Sequence, residues 1–262
     1  MQIDFTGKRA IVCGSTQGIG LAVANCLAEA GAHVTLLARN EDRLKEIHQH
    51  LPCKKDQIHE YLVADFSEPE ILGKKVNEQI KNSGGFDILI NNTGGPKAGP
   101  ILNALEEEFK NAFNNHLLCN HVLMNCCVNY MKEKKFGRIV NIISTSVKQP
   151  LKGLGVSNTI RAAVANWSKT LSSEVAPFGI TVNNVLPGAT STQRLEEIIK
   201  NKSSKNNVNT DAIVEEMINE IPAGRFARPE EIANAVAFLC SEQAAYITGI
   251  NLPVDGGRTM CL

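Results

Sequence analysis

Apolar and polar positions divide this chain into two alternating kinds of segment. Short runs that are apolar almost throughout and rich in β-branched residues predict strands covered on both faces, because a strand inside a buried parallel sheet has no polar face. The predicted strands are Lys8–Cys13, His33–Leu37, Ile58–Val63, Phe86–Ile90, Arg138–Ile143, Thr181–Val185 and a short last one at Ile250–Leu252.

Longer stretches with helical periodicity separate these runs, at Ile19–Ala30, Glu41–His50, Leu105–Lys134 and Gly155–Ala176. Alternation of short strands with such helices indicates βαβ units and a parallel sheet. No linker splits the chain, so the pattern predicts one α/β domain over residues 1–262.

One segment, Lys200–Thr210, is polar and nearly without apolar residues, a composition typical of a mobile segment. A solvated loop and a flap over a substrate pocket are both open interpretations. We place the candidate substrate flap at about residues 188–220.

Composition narrows the function classes. The chain has 27 Lys and Arg against 27 Asp and Glu, so no basic surface for nucleic acid or membrane is predicted. No apolar run approaches the length of a membrane span, and an N-terminus carrying Asp4, Lys8 and Arg9 is too polar for a signal peptide. A cytoplasmic protein with a small-molecule substrate is expected.

Metal binding is not predicted. The eight cysteines, at positions 13, 26, 53, 119, 126, 127, 240 and 261, form no C-x-x-C pair or finger-like spacing with histidine. His116 and His121 are five residues apart on a predicted helix, which does not place them on one face as a metal pair.

A glycine-rich turn follows the first predicted strand. The sequence Cys13–Gly20 reads C-G-S-T-Q-G-I-G, with glycines at 14, 18 and 20. Such glycines let the backbone approach a pyrophosphate at a helix N-terminus, and the βαβ context is the one that this motif requires. The hydroxyls of Ser15 and Thr16 are further candidates for that phosphate.

Arg39 stands where a carboxylate would bind the ribose 2′-hydroxyl of NAD. An arginine there removes repulsion and offers a fork for a 2′-phosphate, which favours NADP(H) over NAD(H). The alternative is a solvated surface charge at a strand end.

These motifs, with others, identify the chain as similar to the short-chain dehydrogenase/reductase (SDR) family over nearly its whole length. The matching segments are the glycine turn, Asn91–Gly94 (N-N-T-G), Arg138–Ser144 (R-I-V-N-I-I-S), Thr181–Gly188 (T-V-N-N-V-L-P-G), Arg228–Glu231 (R-P-E-E) and Tyr246–Gly257. The resemblance implies a doubly wound Rossmann fold, a homotetramer or dimer, and an activity like that of 3-oxoacyl-acyl-carrier-protein reductases on an acyl thioester.

The resemblance also implies which residues bind the cofactor. Asp65 would meet the adenine, and Pro187 and Gly188 the nicotinamide. The full set is Gly14, Ser15, Thr16, Gln17, Gly18, Ile19, Gly20, Arg39, Asp65, Asn91, Thr93, Gly94, Pro187, Gly188, Thr190 and Thr192.

The catalytic positions depart from the family pattern. The family pairs a tyrosine with a lysine four residues later, and its serine lies 13 residues before the tyrosine. Counting from Ser144 reaches Ser157 and then Arg161, and the family's upstream asparagine falls on His116. Since the chain has no tyrosine between Tyr130 and Tyr246, no local gap restores the phenol.

Three hypotheses remain open. In carbonyl reduction, His116 would replace the phenol as proton donor, because imidazole titrates in the right pH range; a packed, interior histidine is the alternative. In conjugate reduction of an enone, Ser144, Ser157 and Arg161 would stabilise an enolate. In the third, the protein binds NADP(H) without turnover.

Overall fold

The computed structural model describes residues 3–54 and 56–261. Seven parallel strands form one sheet in the order β3-β2-β1-β4-β5-β6-β7. They are β1 (Arg9–Cys13), β2 (His33–Ala38), β3 (Glu60–Val63), β4 (Ile88–Asn91), β5 (Gly137–Ile142), β6 (Ile180–Pro187) and β7 (Asn251–Val254). Every predicted strand is present, with ends that differ by a residue or two.

Helices connect the strands. They are α1 (Gly18–Glu29), α2 (Glu41–His50), α3 (Pro69–Ser83), α4 (Glu106–Phe113), α5 (Cys119–Lys134), α6 (Gly155–Val175), α7 (Gln193–Asn206), α8 (Thr210–Asn219) and α9 (Pro229–Cys240). The predicted single-domain, doubly wound parallel fold is confirmed.

Two apolar cores lie on the two faces of the sheet, and β1 shows why its sequence is apolar throughout. Ala10 and Val12 point into the core shared with α1, α2 and α9, whereas Ile11 and Cys13 point into the core shared with α3, α5 and α6. All four side chains are fully buried. Alternate residues of a strand therefore serve opposite helix layers.

The helix predicted over Leu105–Lys134 is interrupted by a π-helical turn. Residues Asn114–Leu118 form five π-helical residues between α4 and α5. Such turns insert a residue into the helical repeat, are rare, and are frequent at functional sites. Here the turn contains His116, which is buried.

The polar segment Lys200–Thr210 is mostly helical. Helix α7 continues to Asn206, Asn207 adopts a left-handed conformation (φ 52°), and the Asn209 side chain caps α8. Residues 200–206 are helix and not loop, although Lys200, Asn201, Ser204 and Lys205 are exposed to solvent as expected. A small apolar cluster of Leu195, Ile199, Ile213 and Met217 packs α7 against α8. Mobility of residues 188–220 stays a prediction.

Within the described residues, no helix combines the length and apolar character that crossing a membrane requires. In the same residues, no group of three or more His, Cys, Asp and Glu side chains is arranged to hold a metal ion.

Candidate active site

The candidate site lies at the carboxyl edge of the sheet. The strand order reverses between β1 and β4, which are parallel, hydrogen-bonded neighbours. From β1 the sheet continues through β2 to β3 on one side, and from β4 it continues through β5 and β6 to β7 on the other. In open α/β sheets, ligands bind in the crevice at this reversal. The predicted binding residues lie on the segments that follow β1 to β6, so parallel strands bring them to one edge.

The glycine turn between β1 and α1 depends on the absence of side chains. A Cβ on Gly14 would lie 2.6 Å from the Asn92 carbonyl oxygen, and one on Gly20 would lie 2.1 Å from the Gly14 carbonyl oxygen. Gly14 and Gly18 also have positive φ angles of 58° and 54°. Only glycine satisfies these contacts and this conformation together.

The start of α1 is suited to an anion. Gln17 makes no side-chain cap and the first turn holds no acidic residue, so the N-terminal amides of α1 have no anionic or capping partner on the helix. The buried Ser15 hydroxyl has no hydrogen-bond partner among the described residues. Thr16 is half-buried beside it and Ile19 lies in the first turn. These groups fit the pyrophosphate of a dinucleotide.

Arg39 and Asp65 lie together after β2 and β3. The Arg39 side chain is 75% exposed, and its Nη1 lies 3.9 Å from Asp65 Oδ2. Partial burial acts to raise the pKa of Asp65, but hydrogen bonds from Ser67 and the charge of Arg39 outweigh it and lower that pKa. The Arg39 guanidinium is thus a weakly held cation at the predicted adenosine end, available to a phosphate.

The loop after β4 makes hydrogen bonds both to the glycine turn and to the π-helical turn that contains His116. Asn92 Nδ2 donates to the carbonyl oxygens of Cys13 and Gly14, at 3.2 and 3.3 Å. Thr93 Oγ1 shares a hydrogen bond of 2.6 Å with His116 Nδ1. The next residue, Gly94, is exposed. The loop therefore connects the glycine turn to the π-helical turn between α4 and α5.

His116 is not placed as a proton donor that titrates near neutral pH. Its side chain is 2% exposed. Burial and the neighbouring charge of Arg161 lower the pKa of His116 to about 2. This pKa lies far below that of a free imidazole, because burial penalises the imidazolium. A catalytic role for His116 stays a prediction. His116 is a neutral side chain that holds Thr93.

Ser144 lies just after β5, and Ser157 and Arg161 lie on α6. Ser144 follows β5, and its Oγ accepts a hydrogen bond of 3.1 Å from the Ser146 amide. Ser157 is half-buried in the first turn of α6. Arg161, one turn later, donates from Nη1 to the Ile142 carbonyl oxygen at 2.8 Å, which ties α6 to the carboxyl end of β5.

Arg161 is a buried cation with few partners. Its side chain is 8% exposed, and its Nε has no hydrogen-bond partner among the described residues. Burial and repulsion by Arg194 lower the pKa of Arg161 to about 10. The guanidinium still carries its charge at neutral pH, so it is a fixed positive charge at the carboxyl end of β5, on the turn of α6 that follows Ser157.

The segment after β6 closes the site from the far side. Pro187 ends β6, and the Gly188 amide donates to Val254 at 2.9 Å. Thr190 Oγ1 donates to the Gly188 carbonyl oxygen at 3.1 Å. Thr192 caps α7, and its Cγ2 lies 3.1 Å from where a Cβ on Gly18 would be. The start of α7 therefore faces the glycine turn across the crevice.

Two features escaped sequence reasoning. Asn92 is absent from the predicted set although it fixes the glycine turn; its place in the N-N-T-G segment that resembles the family was the signal. A row of buried or half-buried amides also crosses the sheet, formed by Asn91, Asn141, Asn184 and Asn251 through hydrogen bonds of 2.8, 3.0 and 2.8 Å. Each asparagine is in register with the next, which the sequence shows only once the strands are aligned.

Comparison with known proteins agrees with this layout. Residues 14–259 match the family model described as enoyl-(acyl carrier protein) reductase. The chain is 36% identical over 252 residues to the 3-oxoacyl-(acyl-carrier-protein) reductase FabG of Haemophilus influenzae, covering 96% of this chain and 98% of the relative. It is 30% identical over 251 residues to the NADPH-dependent reductase BacG of Bacillus subtilis, covering 95% and 97%.

A solved structure is similar over the full length of both chains. It is L-sorbose reductase from Gluconobacter frateurii, complexed with NADPH and L-sorbose, with a TM-score of 0.93 and 34% identity. These similarities extend through both ends of the site, from the glycine turn to the segment after β6.

Proposed function

The chain belongs to the short-chain dehydrogenase/reductase family, and we propose that it is an NADP(H)-dependent oxidoreductase. It transfers hydride to a carbonyl-containing substrate with an altered catalytic set, in which Ser157 and Arg161 stand in the places of the family's tyrosine and lysine. The observation that carries the proposal is the uncapped α1 N-terminus beside a glycine turn that no side chain can enter. The exposed Arg39 and the NADPH of the relatives support NADP(H).

The bound cofactor would supply the hydride, and this chain's residues would hold and polarise the substrate oxygen. Ser144 and Ser157 are the hydroxyl donors, and Arg161 is the fixed positive charge behind them. Donors already oriented toward a developing oxyanion stabilise it without reorganisation. By analogy with the FabG relative, a 3-oxoacyl thioester is the first substrate class to test.

Conjugate reduction of an enone is the second candidate, and the His116 environment favours it. With His116 neutral and Arg161 charged, this set holds no acid that titrates near neutral pH. Ketone reduction must protonate an alkoxide. In conjugate reduction, hydride adds to the β-carbon, the electron pair moves to the carbonyl oxygen as an enolate, and solvent protonates the α-carbon.

The test is NADPH oxidation with an acetoacetyl thioester and, separately, with cyclohexenone, followed by product identification. Turnover of either supports an oxidoreductase, and the product identifies which bond is reduced. Tight NADPH binding without turnover of any carbonyl or enone compound would instead favour the third candidate, a non-catalytic NADP(H)-binding protein. The double variant Ser157→Tyr, Arg161→Lys should raise ketone reduction if the phenol and ammonium are all that is missing.

Assembly into a homotetramer or dimer is a further part of the proposal. Leu102, Leu105 and Phe113, in and before α4, are 93%, 68% and 40% exposed, and a groove lies between Phe109, Phe113 and Ile160. Exposed apolar patches of this kind mark association surfaces. Light scattering coupled to size exclusion should give a dimer or tetramer mass; a monomer would contradict this part.

A further inference from the structure

Two arginines converge on one glycine of the loop after β4. The position that a Cβ would take on Gly95 lies 3.9 Å from Nε and Nη2 of Arg194 and 4.0 Å from Nη2 of Arg161. The two guanidinium groups therefore present nitrogens no more than about 8 Å apart, the sum of those distances. Gly95 has no side chain to fill the space between them.

Arg161 differs from Arg138, the second arginine that is buried in the described part of the chain. Arg138 is 3% exposed and donates to three backbone carbonyl oxygens, those of Gly137, Gly179 and Ser241. Arg161 is almost as buried but donates to Ile142 alone, and its Nε has no partner among the described residues. Charged side chains are seldom buried without such partners. Arg161 therefore has N–H donors that make no hydrogen bond to the described residues.

Arg194 is held in place toward the same space. Its Nη2 donates to the Pro96 carbonyl oxygen at 2.7 Å, and its Nη1 lies 3.4 Å from Glu197 Oε2. Glu197 is half-exposed and partly offsets this charge. Within the described residues, no carboxylate forms an ion pair with Arg161. The charge balance between the two arginines is thus positive, and burial together with repulsion by Arg194 lowers the pKa of Arg161.

The upper limit of about 8 Å on this spacing is compatible with one small anionic group between the two arginines. A carboxylate that accepts one charge-assisted hydrogen bond from each side separates the two donor nitrogens by about 8 Å at most. We infer that Arg161 and Arg194 bind a carboxylate of the substrate, so that the preferred substrates are carbonyl or enone compounds that also carry a carboxylate. This inference rests on the proposed function, since it assigns the anion to Arg161, which follows the candidate catalytic Ser157 by one turn of α6.

The two arginines would then differ in function. Arg161 lies one turn after Ser157 on α6, whereas Arg194 would contribute to specificity from α7. Substitution of Arg194 is consequently the cleaner test, because it removes a substrate contact and leaves the groups at the reacting carbonyl in place. Glutamine retains the length of the side chain and removes its charge.

The experiment compares 4-oxo-4-phenylbutanoate with its methyl ester, two probes that share the ketone and the phenyl ring and of which only the acid carries a negative charge. Their binding to the NADP⁺-loaded protein is measured by calorimetry for the wild type, for Arg194→Gln and for Lys134→Gln, a control that removes an exposed cation from the end of α5. We expect the acid to bind at least about tenfold more tightly than the ester, as the loss of one charged hydrogen bond predicts. Arg194→Gln should abolish that preference and leave the NADP⁺ affinity unchanged; Lys134→Gln should leave both unchanged.

Equal binding of acid and ester, or binding of neither, would overturn the inference. So would an Arg194→Gln variant that loses NADP⁺ affinity, because the guanidinium would then serve the cofactor phosphates. The proposed function is tested separately by NADPH oxidation with the uncharged thioester and cyclohexenone. Failure of that assay with retained acid preference would contradict the reductase and leave the anion site standing.

Discussion

The two ends of the carboxyl edge are built on different principles. At the glycine turn, the backbone determines the geometry. A Cβ on Gly14 would lie 2.6 Å from the Asn92 carbonyl oxygen, so this position has no room for a side chain. At the β5–α6 end, side chains determine the geometry. The guanidinium of Arg161 is buried there with one hydrogen bond, to the Ile142 carbonyl oxygen, and with no partner for its Nε among the described residues. Steric constraint at the first end resists change, whereas the second end can change its chemistry without changing the fold.

The largest expected effect comes from breaking the rigid end. Gly20→Ala would place a Cβ 2.1 Å from the Gly14 carbonyl oxygen and 2.7 Å from Asn92 Nδ2. The turn must shift, so we expect a loss of about 1–3 kcal/mol in the free energy of unfolding and NADPH binding weakened by about 100-fold. Urea denaturation and fluorescence titration measure the two. Gly99→Ala is the matched control, since nothing lies within 4 Å of a Cβ there; equal losses in both variants would contradict the steric argument.

The second prediction separates function from stability at the other end. Arg161→Met removes a buried charge that makes one hydrogen bond, so turnover should fall about 100-fold while the free energy of unfolding stays level or rises by about 1–3 kcal/mol. Steady-state kinetics and urea denaturation give both values.

Arg138→Met is the control for that variant. Arg138 is buried with three carbonyl partners, so its loss should destabilise the protein by about 3 kcal/mol. If Arg161→Met were as destabilising as Arg138→Met, Arg161 would be a structural residue.

The contrast between the two ends also explains what sequence reasoning reached. Glycine spacing, the apolar strands and the position of Arg39 are local patterns, so the fold class and the cofactor end followed from them. The pKa of His116 depends on a π-helical turn and on Arg161, 45 residues away in the chain, which no local pattern encodes. The partners of Asn92 and the approach of Arg194 to Gly95 likewise require the folded chain.

A third prediction concerns stability and pH. Because the pKa of His116 is about 2 in the folded protein and about 6.5 in the unfolded chain, the unfolded state binds more protons below that higher value. The stabilising contribution is therefore complete above about pH 6.5 and is lost as the pH falls toward about 2. On going from pH 7 to pH 5, this histidine should lower the free energy of unfolding of the wild type by about 2 kcal/mol. The variant His116→Gln should not show this loss. Urea denaturation at the two pH values measures it; an unchanged pH dependence in the variant would contradict the buried, neutral imidazole.

The smallest effect is expected at the exposed edge of the cofactor end. Arg39→Gln removes a cation that is 75% exposed and only loosely associated with Asp65. NADPH binding should weaken by about tenfold, the lower end for a charged hydrogen bond, and NADH binding should not. Fluorescence titration with both cofactors gives the ratio. A proportional loss for both would show that Arg39 does not distinguish the 2′-phosphate.

The most direct measurement is the pH dependence of kcat/KM at saturating NADPH, with whichever of the thioester and cyclohexenone is reduced faster. It tests the claim that this site stabilises substrate charge with fixed donors and holds no acid that titrates near neutral pH. The pKa values of His116 and Arg161, about 2 and about 10, leave the range between about pH 6 and 9 free of titration by either group. The account predicts a flat profile there. A limb with an apparent pKa near 7 would contradict it, because a titrating side chain would then carry the proton.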